Sequence, residues 1–155
     1  MFLWQQEHSD AFEALKSHIV NSDTVLALFD PSRPTRLETD ASRLNGLGFV
    51  LRQLHEDSWR IVQCGSRFLT DAETRYAVIE LELLALVWAT KKLHVYLFGL
   101  ENYEVLLDHA PLIPILNKYS LNAIENPRLL RLREKIQAYN FTCLLYTSPS
   151  PRDRI

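Results

Sequence analysis

Cysteine is scarce in this chain, which has only Cys64 and Cys143 among its 155 residues. The two are far apart and form no C-x-x-C pair, so neither a disulfide framework nor a cysteine-ligated zinc site is expected. The five histidines show no metal-ligand spacing either. Free thiols are typical of an intracellular protein.

Long apolar runs and a strong net charge are also missing. No segment approaches the roughly 20 apolar residues of a membrane-spanning helix. The N-terminal MFLWQQEHSD lacks the basic region and apolar core of a signal peptide, so neither membrane insertion nor secretion is expected. The net charge of −2 gives no indication of nucleic-acid binding. If the protein binds nucleic acid, it has to do so through local patches and metal ions.

What the chain does contain is a globular composition, 47% hydrophobic and 23% charged, with alternating helix and strand patterns. Strands are predicted at 35–40, 46–53, 58–69, 103–108 and, as a partial last strand, 139–145. In the first of them Leu37 and Thr39 face one side, and Glu38 and Asp40 the other. Helices are predicted at 7–20, 71–98, 111–118 and 126–138, the last with Asn126 as its cap and Pro127 at its first position. The run at 24–34 is a strand or linker ending in a turn. This order indicates an α/β chain with a mixed sheet, in which the first three strands are antiparallel and a helical crossover leads to the fourth.

The strongest helix signal covers residues 71–98. Thr70 and Glu73 form a capping box, in which a hydroxyl cap is followed three residues later by a glutamate. On a helical wheel Glu82 lies within the apolar stripe, whereas Glu80 falls on the opposite, polar side. We therefore expect Glu80 to be solvated and Glu82 to face the core.

Three carboxylates occupy positions from which they can converge. Asp40 ends the first core strand, Asp108 ends the fourth, and Glu82 lies on the helix between them. Ligands collect at strand ends in α/β sheets, and a core-facing carboxylate is costly unless it is paired, protonated or bound to metal. No basic residue shares the stripe of Glu82. Such a cluster suits Mg²⁺, and two ions about 4 Å apart can drive in-line displacement at phosphorus.

Each carboxylate also has a purely structural explanation. Asp40 could shape a turn, Asp108 could cap the helix near Pro111, and Glu82 could meet a basic residue from elsewhere in the fold. Taken singly, these explanations are as good as the functional one. The three acids together, in this order and on these elements, favour metal-dependent chemistry.

Four segments together are similar to one protein family. They are FLWQQEHSDAFEALK, LETDASRLNGLGFVLRQ, GSRFLTDAETRYAVIELELLALVWATKKLHVYLFG and YEVLLDHAPLIPIL. They resemble the RNase H domain of reverse transcriptases from gypsy-type LTR retrotransposons, over nearly the whole chain up to about Leu144. The resemblance implies an RNase H-like fold, a mixed five-stranded sheet flanked by helices, with its last strand or helix truncated.

The resemblance also implies an activity and its residues. Asp40 matches the family's T-D-A-S aspartate, Glu82 the second glutamate of its E-x-E motif, and Asp108 its T-D-H aspartate. As catalytic residues they would hold Mg²⁺, or Mn²⁺, and cut the RNA strand of RNA–DNA hybrids by two-metal-ion catalysis. The implied partners are the hybrid and the polymerase domain of the same polyprotein. The implied location is the cytoplasmic replication particle or the nucleus.

The same resemblance implies that the chain consists of three segments. Residues 1–30 would be the connection helix and linker from the reverse transcriptase, 31–145 the RNase H-like domain, and 146–155 a non-native or disordered tail. The family usually continues past the last strand to an alanine–aspartate pair that supplies a fourth metal ligand. Here the chain reads YTSPSPRDRI, and Asp153 lies in a dissimilar context, so no fourth ligand is assigned.

Basic residues supply weaker candidates for nucleic-acid contacts. Arg128, Arg131 and Lys135 recur at helical spacing and could line a phosphate track, although a solvated helix face is the more ordinary interpretation. His109 could orient the site or contact substrate, or be an ordinary polar neighbour of Asp108.

Two other functions stay open. A transposase or integrase core shares the fold but places its glutamate last, on a C-terminal helix, whereas here Glu82 lies between the two aspartates. A catalytically impaired relic, acting only as a hybrid-binding or structural module, is favoured by the missing fourth ligand. Glu82→Gln separates enzyme from relic, because only the enzyme would lose cleavage.

Overall fold

The computed structural model describes residues 3–21 and 26–146. In chain order its elements are α1 (Gln6–Asn21), β1 (Thr35–Ser42), β2 (Gly46–His55), β3 (Ser58–Arg67), α2 (Val78–Lys92), α3 (His94–Leu97), β4 (Tyr103–Leu107), α4 (Leu112–Asn117), α5 (Pro127–Glu134) and β5 (Phe141–Leu145). Single 3₁₀ turns lie at Glu73–Arg75 and Leu121–Ala123.

One mixed sheet of five strands organises the fold, in the spatial order β3-β2-β1-β4-β5. The pairs β1–β2 and β2–β3 are antiparallel, whereas β1–β4 and β4–β5 are parallel. Parallel neighbours cannot be joined by a tight turn, and helices lie in both connections: α2 and α3 precede β4, and α4 and α5 connect β4 to β5. The predicted fold class, a mixed five-stranded sheet with flanking helices, is confirmed.

The core lies between one face of the sheet and α2. Along β1, Thr35, Leu37 and Thr39 are buried while the residues between them are more exposed, as the alternating pattern predicted. Leu83 and Leu86 of α2 are fully buried against this face. Burial of a leucine side chain stabilises a fold by about 1.5–3 kcal/mol, so this packing holds α2 on the sheet.

The prediction of one continuous helix over residues 71–98 is wrong. Thr70 and Glu73 do form the capping contacts, because Thr70 N donates to the Glu73 carboxylate at 2.9 Å. They start only the 3₁₀ turn Glu73–Arg75, and Arg67 of β3 holds the same carboxylate through two hydrogen bonds of 2.7 and 2.8 Å. The chain is then extended at Ala77 before α2 begins, and it changes direction again at Leu93.

The helix predicted at 126–138 is present but ends earlier, at Glu134. The Asn126 side chain caps it by accepting hydrogen bonds from Arg128 N at 2.9 Å and Leu129 N at 3.2 Å. Pro127 occupies the first helical position, where its missing N–H costs nothing. This cap is therefore confirmed.

The sheet edge at β5 is bonded to a side chain from α4. Asn117 Nδ2 donates to the carbonyl oxygen of Cys143 at 2.8 Å, and Cys143 N donates to Asn117 Oδ1, also at 2.8 Å. The two bonds fix α4 against the strand next to β4. Because α4 is the helix that follows β4, the two bonds also hold the end of the segment that connects β4 to α4.

The predicted amphipathic helix near the N-terminus is present as α1. Its apolar residues Phe12, Leu15 and Ile19 are 52%, 62% and 60% exposed. Residues 26–34 form no strand, and the rest of the predicted linker at 22–25 lies outside the described residues, as does the predicted tail from 147 onwards. The domain boundaries at residues 30 and 145 stay predictions. The described helices include no candidate for a membrane span.

Gly46, at the start of β2, occupies a position that excludes a side chain. Its φ is +98°, and an added Cβ would lie 2.1 Å from the carbonyl oxygen of Arg67. Gly46→Ala is expected to lower the free energy of unfolding by about 2–4 kcal/mol, because strand backbone would have to move. Urea denaturation measures this difference.

Gly99 provides the matched control for backbone conformation alone. Its φ is +88°, but nothing lies within 4 Å of an added Cβ. Gly99→Ala is expected to cost only about 1 kcal/mol, from the unfavourable φ. Equal losses for the two variants would contradict the close approach at Gly46.

Candidate metal centre

Asp40, Glu82 and Asp108 meet at one edge of the sheet. Each offers a carboxylate oxygen, and these oxygens all lie within 4.8 Å of one another. Asp40 lies near the carboxyl end of β1 and Asp108 directly follows β4, and these strands are parallel neighbours. Glu82 reaches the same place from the beginning of α2. The structure thus brings together the three acids that the sequence singled out.

Glu82 is the unusual member, because it is only 4% exposed whereas Asp40 and Asp108 are exposed. Its Oε2 is buried and has no hydrogen-bond partner in the described parts of the chain. Burial, and then the charges of Asp108 and Asp40, raise the pKa of Glu82 to about 8. An ionised Glu82 therefore requires a nearby positive charge.

No side chain of the described residues supplies that positive charge, since none of the three acids takes part in an ion pair there. Three carboxylates form a hard oxygen donor set, which fits Mg²⁺ or Mn²⁺ better than softer metals. The orphaned Oε2 of Glu82 is the atom that such an ion would satisfy. A cavity of about 550 Å³ lined by Asp40, Asp108, Gly48 and Tyr146 adjoins the cluster and leaves space for a ligand.

Glu80, two residues before Glu82, has the opposite environment. The prediction that it is solvated is wrong, because it is only 6% exposed. It accepts hydrogen bonds from Ala77 N at 3.0 Å, Arg128 Nη1 at 2.8 Å and Asn126 Nδ2 at 3.2 Å. Burial alone would raise the pKa of Glu80, but these donors outweigh it and hold the pKa below its usual value.

The basic residues predicted to contact nucleic acid have different surroundings. Arg128 pairs with Glu80, and its guanidinium carbon lies 4.1 Å from the centre of the Tyr76 ring. Arg131 and Lys135 are exposed on and just after α5, and His109 is partly exposed beside Asp108. Their contact with nucleic acid stays a prediction.

Sequence reasoning missed the role of Glu80 in the local structure. The helical wheel places it correctly opposite Glu82, but that side of α2 is covered by the beginning of α5, which the wheel does not contain. A local signal existed, because Glu80 stands three residues after Ala77, the spacing at which a glutamate caps the start of a helix. The stronger capping box at Thr70 and Glu73 obscured it.

Comparison with known proteins identifies the family of the chain. The chain belongs to the family described as the RNase H-like domain found in reverse transcriptase, whose model matches residues 4–105. It is 36% identical over 139 residues to the retrovirus-related Pol polyprotein from transposon opus of Drosophila melanogaster, covering 90% of this chain and 13% of the relative. It is 39% identical over 135 residues to the corresponding polyprotein from transposon 297 of the same organism, covering 87% and 12%. The chain thus spans about an eighth of the relatives' length.

Solved structures show the same fold at low sequence identity. The foamy viral protease-reverse transcriptase in complex with double-stranded DNA superposes with a TM-score of 0.65 and 16% identity, over 95% of this chain and 31% of the other. The same viral protein in complex with an RNA/DNA hybrid gives 0.59 and 17%, over 99% and 20%. LC11-RNase H1 in complex with an RNA/DNA hybrid gives 0.52 and 14%, over 77% and 88%.

The raised pKa of Glu82 makes stability without metal depend on pH. The folded pKa is about 8 and the ordinary value is 4.5, so the folded state binds this proton more tightly. The stability that protonation contributes is complete below about 4.5 and is lost as the pH rises through about 8. With EDTA present, Glu82→Gln is expected to exceed the wild type by about 1–3 kcal/mol above that range, because its amide does not ionise.

Urea denaturation at a series of pH values measures this difference. Glu134→Gln is the control, because Glu134 is exposed on α5 and its replacement should leave the pH profile of the wild type unchanged. If Glu82→Gln keeps the wild-type loss of stability between pH 4.5 and 8, Glu82 is not the group responsible.

Proposed function

We propose that this chain hydrolyses the RNA strand of RNA–DNA hybrids at internal positions, as the RNase H part of a retrotransposon reverse transcriptase. Asp40, Glu82 and Asp108 would act as its catalytic residues by holding two divalent cations, Mg²⁺ or Mn²⁺. The observation that carries the proposal is the buried, unpartnered carboxylate of Glu82 within 4.8 Å of two exposed aspartates. A structural acid would have a donor, as Glu80 does.

The protein's own residues contribute position and charge. The Oε2 atom of Glu82 has no hydrogen-bond partner in the described structure, so it is available as a ligand. Asp40 and Asp108 are exposed and therefore lie on the side that a nucleic acid can approach. Divalent cations bound there would activate the attacking water and stabilise the leaving oxygen. The chain then needs no nucleophile of its own.

The choice of substrate and partners rests on the relatives. The matched family is an RNase H-like domain of reverse transcriptases, and the curated relatives are Pol polyproteins of transposons. A viral reverse transcriptase with the same fold has been solved with an RNA/DNA hybrid, which makes the hybrid the first substrate to test. The partner in the same polyprotein would be the polymerase domain. Its site of action would be the cytoplasmic replication particle or the nucleus.

A second candidate is a module that binds hybrid without cutting it. The observation in its favour is that the described residues bring three carboxylates together rather than four. With fewer ligands, two ions would be held less firmly. This candidate predicts hybrid binding without metal-dependent products.

Cleavage of a labelled RNA–DNA hybrid distinguishes the two candidates. The wild-type chain is expected to produce metal-dependent RNA fragments that EDTA abolishes. Asp40→Asn and Glu82→Gln are each expected to slow cleavage by roughly a hundredfold or more, because loss of a metal ligand removes several kcal/mol of transition-state stabilisation. Gel analysis of the labelled strand measures the rates.

Glu134→Gln serves as the control for loss of one carboxylate and should cut at the wild-type rate. A folded wild-type chain that binds hybrid but never cuts it would support the binding module instead. Fragments that persist in EDTA would point to a contaminating nuclease. Metal-dependent cleavage by Asp40→Asn at the wild-type rate would contradict the assigned ligands.

A phosphate track along α5 would include the exposed Arg131 and Lys135, and its alternative is an ordinary solvated helix face. Arg131→Ala combined with Lys135→Ala should weaken hybrid binding and reduce its salt dependence by roughly one unit of slope for each phosphate that is no longer neutralised. Fluorescence anisotropy at several salt concentrations, in Ca²⁺ to suppress cleavage, measures both quantities. An unchanged slope would mean that these two side chains form an ordinary solvated face.

A further inference from the structure

Two glutamates at the start of α2 have opposite surroundings although only Leu81 separates them. Glu82 faces the acidic cluster without any donor, and Glu80 on the other side of the helix has three. Both are buried, at 4% and 6% exposure. The metal centre described above uses Glu82 and leaves Glu80 unexplained.

The donors of Glu80 come from two different parts of the fold. Ala77 directly precedes α2, whereas Asn126 and Arg128 lie at the start of α5. Asn126 also caps α5 with its side-chain oxygen. Glu80 therefore joins the starts of both helices through one carboxylate.

A second set of contacts extends this connection to β1. Arg128 stacks on the Tyr76 ring at 4.1 Å, and Arg43 Nη2 donates to the carbonyl oxygen of Tyr76 at 3.0 Å. Arg43 follows Asp40 by three residues, in the turn between β1 and β2. The chain just before α2 is thus bonded to the end of the strand that carries Asp40.

These connections oppose the electrostatic repulsion within the acidic cluster. Three carboxylates within 4.8 Å repel one another when ionised, and Asp40 and Asp108 are kept in register by the pairing of β1 with β4. The position of Glu82 depends on how α2 sits on the sheet, and apolar packing is non-directional. Hydrogen bonds at the first turn of α2 fix the helix in a way that apolar packing does not.

We propose that Glu80 is a positioning residue for the metal centre: by holding the first turn of α2 to α5, it sets the place of the Glu82 carboxylate relative to Asp40. The proposal rests on the metal site of the proposed function. It assigns Glu80 no contact with metal or substrate.

Binding of Mg²⁺ and Mn²⁺ to the full chain without nucleic acid tests this assignment. Glu80→Gln keeps the size of the side chain but removes the charge that pairs with Arg128. Its affinity for both ions is expected to fall roughly tenfold, the usual effect of removing a group that orients a metal ligand. Isothermal titration calorimetry measures the affinity, at a temperature where circular dichroism shows the variant to be folded.

Two further variants separate positioning from a general loss of stability. Arg128→Gln acts from the exposed end of the pair, whose arginine side chain is 48% exposed, and should weaken metal binding in the same direction but less. Arg128→Lys keeps the charge and should restore most of the affinity. Glu134→Gln, an exposed carboxylate on α5, should bind both ions as the wild type does.

The outcomes distinguish this inference from the proposed function. If Glu80→Gln and Arg128→Gln are less stable but bind the ions with wild-type affinity, Glu80 is structural only and the inference is overturned, while hybrid cleavage can still be demonstrated. The wild type could instead bind the ions more tightly than the variants do, while neither the wild type nor any variant cuts the hybrid. In that case the inference stands and the proposed activity fails. A wild-type chain that binds neither ion overturns the inference as well.

Discussion

Repulsion among the carboxylates of Asp40, Glu82 and Asp108 is the interaction that the surrounding fold has to oppose. Burial, and then the nearby charges of the two aspartates, raise the pKa of Glu82. Each of the three acids is held on a different element of the fold. The parallel pairing of β1 with β4 sets two of them side by side, and the crossover through α2 supplies the third. The order of elements along the chain is therefore what makes the cluster possible.

Such a cluster is unfavourable for an apo protein and favourable for a metal-binding one. Natural proteins often tolerate local strain or repulsion where function requires it, and stability is supplied by the rest of the fold. Glu80 shows the alternative, since it is about as buried as Glu82 yet has three donors. The contrast between the two residues separates a carboxylate that stabilises the fold from one that the fold leaves free.

Local patterns predicted the features that depend on neighbours in sequence. The alternation in β1, the Asn126 cap and the inward orientation of Glu82 all follow from such patterns, and the structure has each of them. The failures involve residues from distant elements. Glu80 was expected in solvent because a helical wheel cannot contain Arg128. The long helix was expected to begin early because the capping box at Thr70 and Glu73 does not reveal that only a 3₁₀ turn follows it.

The bonds between Asn117 and Cys143 have a consequence for assembly. β5 is an edge strand, and the N–H and C=O of Cys143 that turn away from β4 are the groups to which a strand of another molecule would pair. The Asn117 amide occupies both, as one residue of an added strand would. The centre of this edge is thereby unavailable to a strand of another molecule, which opposes edge-to-edge aggregation. The protection comes from an uncharged side chain rather than from a charged one.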